Sequence, residues 1–187
     1  MNTKNKIALA GLAAVIAGAG YTAYKGANSA LEERAYYQDL ATRKEIKQGS
    51  IAPDFTLKSL DGKEITLSKL EGKLVLLDFW ATWCGPCQAL TPHIKKLYEE
   101  CKEDGLEVIQ IATQNTEKDL EKYIKHNTPP FTIFHDKDNK LWRDYNLEGI
   151  PDLFLIENGK VKDMSHGYGT MSLDLIQRIK KEIKKKR

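Results

Sequence analysis

The chain has 187 residues, 41% of them apolar, which suits one domain of ordinary size with a short appendage and a genuine hydrophobic core. Its 29 basic and 26 acidic residues leave a net charge of +3, and much of the excess lies in the terminal run Lys180, Lys181, Lys184, Lys185, Lys186 and Arg187, so no nucleic-acid surface is implied. Three cysteines, two of them with only two residues between, exclude a disulfide-stapled mini-domain and leave that pair to be judged as a redox or metal motif.

In chain order, residues 7–24 (IALAGLAAVIAGAGYTAY) carry no charge, follow Lys4 and Lys6, and end in two tyrosines of the kind found at a membrane interface. A retained anchor is expected; Ala17-Gly18-Ala19 could serve a signal peptidase, so cleavage is the alternative. The basic flank keeps the N-terminus in the cytoplasm and sends the chain beyond Lys25 to the far side. Ser29 and Glu32 have capping-box spacing, and a stalk helix is expected from there to about residue 48, ending at Gly49. Residues 1–25 are thus expected as anchor or signal, 26–50 as helical stalk and linker, and 51–187 as the folded domain.

Residues 55–57 and 64–67 are strand-like around the turn signal Asp61-Gly62, and 73–79 (KLVLLDF) is an apolar run of a central strand. A helix is expected from Cys84 to about residue 102, with Pro92 kinking it. Strand 106–112, helix 117–125, strand 131–134 and a short helix over 141–145 come next. A last hairpin pairs 153–156 with 161–164 across Asn158-Gly159, and an amphipathic C-terminal helix closes the domain. Strands and helices alternating in this way argue an α/β architecture with a mixed sheet. The terminal lysines read as a solvated, dipole-favoured helix end, with contact to anionic lipid headgroups as the lesser reading.

Cys84 falls at the first turn of its helix, where unpaired backbone N–H groups and the positive dipole end stabilise a thiolate. Cys87, one turn on and on the same face, is close enough to form a disulfide while sitting deeper. Position therefore marks Cys84 as attacking thiol and Cys87 as resolver. Gly85 and Pro86 keep the intervening turn tight, and proline there withholds a donor that would lack a partner.

The run Asp78-Phe79-Trp80-Ala81-Thr82-Trp83-Cys84-Gly85-Pro86-Cys87 resembles the active-site signature of the thioredoxin superfamily. Ala52-Pro53-Asp54-Phe55, the Asp61-Gly62 hairpin and the helical segment 117–126 before Phe131 further resemble the TlpA/ResA-like redoxins over residues 51 to about 180. The resemblance implies a thioredoxin fold, a mixed central sheet flanked by helices behind an N-terminal hydrophobic helix. It also implies dithiol exchange with protein substrates outside the cytoplasm, commonly reduction of apocytochrome c or other exported proteins, with a membrane electron donor and no cofactor or metal. It makes Asp78 the buried carboxylate that shuttles the proton of Cys87, although many TlpA-like members carry Asn there. Where thioredoxin has a lysine on the next strand this chain has Gln110, so Asp78 is expected to be unpaired, with a raised pKa. Ile150-Pro151 matches the superfamily's cis-proline opposite the cysteines, and Trp83 an apolar lip for docked substrate.

Cys101 is expected as a packed thiol. His93, His126, His135 and His166 show no ligand spacing. A copper carrier of the Sco kind would resemble a three-residue cysteine spacing with a distal histidine. A peroxiredoxin would need threonine three before its cysteine, where Ala81 stands. Metal carrier and thiol peroxidase are therefore the lesser alternatives.

Overall fold

The computed structural model describes residues 45–127 and 129–186, together with Leu31 and Arg34, which are helical. The expected membrane segment 7–24 and most of the expected stalk lie outside the described residues. Among the described residues no helix is long and apolar enough to cross a membrane.

A compact unit spans Glu45–Arg187. The expected stalk helix does not reach residue 48: residues 45–47 have no regular structure and a turn occupies 48 and 49. The reason is competition from the sheet edge. The Gly49 amide donates to the Val161 carbonyl at 2.7 Å and the Val161 amide to that of Ser50 at 2.9 Å, bonds a helical backbone would have used internally.

Strands β1 (Thr56–Lys58) and β2 (Glu64–Thr66) form a small antiparallel hairpin. The main sheet contains β3 (Leu74–Trp80), β4 (Leu106–Ala112), β5 (Ile133–His135), β6 (Asp152–Glu157) and β7 (Lys160–His166), in the order β5-β4-β3-β6-β7. Strands β3, β4 and β5 run parallel, whereas β6 and β7 are antiparallel to their neighbours, giving the mixed sheet expected. Asn158 and Gly159, both at positive φ (51° and 70°), make the tight β6–β7 turn that a right-twisted hairpin requires. The helices are α1 (Gly85–Cys101), α2 (Glu117–His126), α3 (Lys140–Asp144) and α4 (Thr170–Lys186). Expected and observed ends differ by no more than two or three residues, and Pro92 lies inside α1.

Alternation along β3 divides its side chains between two cores. Val75, Leu77 and Phe79 pack with Ile109, Ile111, Phe154, Leu141 and Tyr145 on one face. Leu74 and Leu76 pack on the other with Leu106, Val108, Leu153 and Leu155, beneath Leu90, Ile94 and Leu97 of α1 and Leu175, Ile176 and Ile179 of α4. At the C-terminal end of β3 a third cluster joins Trp80, Ala112, Ile133 and Leu120 to Cys84 and Cys87. The cysteine pair thus stands where the central parallel strands end and α1 begins.

Candidate active site

Leaving β3 at Trp80, the chain turns once, with the Cys84 amide donating to the Ala81 carbonyl at 3.1 Å, and enters α1 at Gly85. Cys84 is the N-cap: its backbone is extended (φ −85°, ψ 96°) and its sulfur accepts the Cys87 backbone N–H at 3.2 Å. Gly85 and Pro86 fill the first turn, where a missing N–H leaves no acceptor unsatisfied. Cys84 and Cys87 are joined in a disulfide with Cα atoms 5.3 Å apart.

Across the cleft the Ile150–Pro151 peptide is cis, and its Ile150 carbonyl oxygen lies 3.8 Å from Cys84 Sγ. Ile150 is half-buried and Pro151 buried. Trp83 stands out at 61% exposure, yet its indole N–H is fixed to the Gln114 carbonyl at 3.1 Å. Exposure does not separate the two cysteines as the sequence suggested: Cys84 is 4% and Cys87 2% accessible. In the disulfide the Cys84 sulfur packs against Ile150, so it is contact with the cis-proline segment, and not openness to solvent, that distinguishes it.

Asp78 lies on the α1 side of β3, between Leu76 and Trp80 in the alternation, and is buried. Trp80 and Ala112, two residues beyond Asp78 and its β4 neighbour Gln110, share a cluster with Cys87, which places the carboxyl one step below the cysteine pair. Asp78 is not unpaired. Gln110, its partner in the β3–β4 register, donates from Nε2 to Oδ2 at 2.8 Å because the parallel register puts both side chains on one face. Burial nevertheless raises the Asp78 pKa to about 7, against the opposing pull of that bond.

The family model described as the AhpC/TSA family matches residues 48–164. The chain belongs to that family. Its relatives include the thiol-disulfide oxidoreductase ResA of Geobacillus kaustophilus (strain HTA426), 34% identical over 174 residues and covering 92% of each chain. The protein of the same name from Oceanobacillus iheyensis is 36% identical over 134 residues, 69% of each. Among solved structures it is similar to a thiol:disulfide interchange protein DsbE from Chlorobium tepidum (30% identity, TM-score 0.68, 74% of this chain and 99% of that one). StoA from Bacillus subtilis is also similar, with 26% identity and a TM-score of 0.57 over 68% and 96%. This AhpC/TSA-family chain is a thiol–disulfide oxidoreductase of thioredoxin-like fold with a redox-active cysteine pair.

Around that pair, the family member adds polar groups with no signal in the sequence. Asp152, next to Pro151, is buried and accepts from His166 Nδ1 at 3.0 Å; burial lifts its pKa to about 6 while His166 holds it down. The Gly167 amide donates to the Pro151 carbonyl at 2.8 Å, so the end of β7 straps the cis-proline segment. His126 and His135 bond to the backbone carbonyls of Lys122 and Asn115. Among the described residues no group of three His, Cys, Asp or Glu side chains is placed to hold a metal ion. Cys101, at the far end of α1, is buried among Leu74, Leu97 and Leu106, away from the disulfide.

Proposed function

We propose that this oxidoreductase works outside the cytoplasm, tethered through residues 7–24, and reduces disulfides in exported proteins, apocytochrome c among the candidates. The observation that carries the proposed chemistry is the setting of Cys84 Sγ, held between the Cys87 N–H at 3.2 Å and the Ile150 carbonyl at 3.8 Å beside a cis-proline. An N–H aimed at sulfur at a helix N-terminus favours the thiolate, and the cis-proline segment offers extended backbone against which a substrate strand can lie.

In the reaction the Cys84 thiolate attacks one sulfur of a substrate disulfide. That S–S bond breaks, the departing sulfur leaves as thiolate and takes up a proton, and a mixed disulfide forms. Cys87 then gives its proton to the Asp78 carboxylate and attacks Cys84 Sγ, releasing the second substrate thiol and closing Cys84–Cys87. Two electrons pass to the substrate, and a membrane dithiol donor restores the enzyme. A carboxyl with a pKa of about 7 is matched to that transfer near neutrality. Trp83, Gly85, Pro86, Ile150 and Pro151 would face the docked polypeptide.

Cys87→Ser tests the assignment, since Cys84 keeps its attack and loses its resolver. Expressed in its own host, the variant should accumulate covalent adducts with exported proteins that dithiothreitol dissolves, and Cys84→Ser should accumulate none. Adducts on Cys84→Ser instead would reverse the two roles. Apocytochrome c dominating the trapped species would mark a cytochrome-maturation reductase; a broad mixture would mark a general one.

A further inference from the structure

Between β3 and α1 the chain must turn within residues 81–84, a segment with no ladder to hold it. Both peptide groups of Thr82 are satisfied by side chains instead. Its N–H donates to Asn115 Oδ1 at 3.1 Å, and its carbonyl accepts from Gln88 Nε2 of α1 at 2.7 Å. Asn115 Nδ2 also donates to the Thr82 hydroxyl oxygen at 2.7 Å, so one amide grips one residue twice.

Asn115 is itself braced, through the bond between its carbonyl and His135 Nε2 at 3.0 Å. Its neighbour Gln114 takes the indole N–H of Trp83 on its carbonyl, and Gln114, at positive φ (49°), donates its backbone N–H to Asn139 Oδ1 at 2.7 Å. Asn139 Oδ1 accepts the Thr113 hydroxyl at 3.1 Å as well. The loop after β4, residues 113–115, therefore fixes the two residues that precede Cys84.

We propose that Asn115 is a positioning residue of the active site: by clamping Thr82 it sets the place of Cys84 Sγ over the Cys87 N–H and the pose of the Trp83 lip, and so governs thiolate formation and substrate docking without touching the substrate. The inference rests on the reading of Cys84 as the attacking thiol. The reason is geometric. A thiolate is stabilised by an N–H only along a narrow direction, and a small rotation at residue 82 is carried directly into residues 83 and 84. A group whose sole role was to hold the fold together would lower the melting temperature and leave both properties alone.

The experiment uses the full chain in its reduced form. Iodoacetamide alkylation of Cys84 is followed against pH, and steady-state reduction of insulin, with dithiothreitol as the electron donor that re-reduces Cys84–Cys87, is measured in parallel. Asn115→Ala should move the alkylation midpoint up by about one unit and raise KM for insulin roughly tenfold, with a smaller change in kcat. Thr82→Val, which loses only the hydroxyl contact, should move both in the same direction by less, and it keeps the test alive if Asn115→Ala folds poorly. Adding Thr82→Val to Asn115→Ala should change nothing further, because the clamp is already gone. Asn115→Asp, whose carboxylate accepts from both the Thr82 N–H and its hydroxyl, should bring KM back toward the parent value. An unchanged midpoint and KM in Asn115→Ala, or additive shifts in the double variant, would overturn the proposal while leaving Cys84 as nucleophile. If in the parent protein Cys87 is alkylated before Cys84, the underlying reading fails and this one with it.

Discussion

The two faces of the central sheet are built from the same strands and each buries one carboxyl near the cysteine end, but they partner it differently. On one side Val75, Leu77, Phe79, Ile109, Ile111 and Phe154 form an apolar surface closed by Tyr145, whose hydroxyl escapes to the Pro53 carbonyl at 2.9 Å. On the other, beneath α1 and α4, the pattern is equally apolar until the row of Gln110, Asp78 and, across Leu153, Ser165 interrupts it. The interruption falls one residue pair short of the strand ends, directly under the disulfide. The first face also buries a carboxyl, Asp152 opposite Phe79, but gives it the exposed imidazole of His166 as partner, whereas the second gives Asp78 only the neutral amide of Gln110, the arrangement that suits the proposed proton acceptor. A buried carboxyl held by a single amide is expensive to ionise, and that expense makes it a useful base near neutrality.

The contrast is open to tests of decreasing size. Phe79→Ala removes a fully buried ring that meets Tyr145 at 5.1 Å and Phe154 at 5.8 Å between centroids, and it should destabilise the domain by about 3–5 kcal/mol at every pH. Chemical denaturation measures this directly. A loss below about 1 kcal/mol would mean that the apolar face is not the main source of stability.

Asp78→Asn should behave in the opposite sense and only in part of the pH range. The folded-state pKa of Asp78 is raised from 3.8 to about 7, so its burial is harmless below pH 4, and stability is lost as pH rises from there through 7. Asparagine carries no such penalty. The variant should therefore match the parent near pH 4 and exceed it above pH 8 by a few kcal/mol, on the order of 4 at most. Resolution of the mixed disulfide should slow at the same time, with attack by Cys84 preserved. Asp78→Asn losing stability at pH 8 would remove the asymmetry between the faces.

Much of this is legible in the sequence because it is written locally. The strand run 106–112, helix 117–126 and the Asn158-Gly159 turn are recovered almost to the residue, since periodicity and turn chemistry are short-range. Cys84, Cys87, Asp78 and Pro151 stand out by motif. What escapes depends on separations the sequence does not display. Thr82 and Asn115 are 33 residues apart and Asp152 and His166 are 14 apart, and no spacing rule pairs them. Gln110 stands opposite Asp78 as expected, yet the two do pair, because an amide reaches the carboxyl where a lysine was the partner sought. Residues 45–49 are not the helix that propensity alone leads one to expect, because propensity cannot see the bonds that Gly49 and Ser50 make with Val161.

The smallest test asks whether the second face tolerates polarity in general or only in the row of Gln110, Asp78 and Ser165. Cys101 lies on that face at the opposite end of α1, 1% exposed, so Cys101→Ser changes little in volume and substitutes a hydroxyl for a thiol. An unsatisfied hydroxyl there would cost about 1–3 kcal/mol. Serine in a helix can, however, bond back to the carbonyl four residues earlier, here Leu97, which recovers part of the loss. The expected net destabilisation is therefore about 1 kcal/mol, flat with pH, with the Cys84 alkylation profile unchanged. Flatness is the decisive feature: a hydroxyl does not titrate, whereas the penalty at Asp78 rises with pH. A pH-dependent loss in Cys101→Ser, or an altered Cys84 profile, would show that the thiol at the end of α1 communicates with the cysteine pair at its start, and the polar row beneath the disulfide would no longer be independent of the far end of the helix.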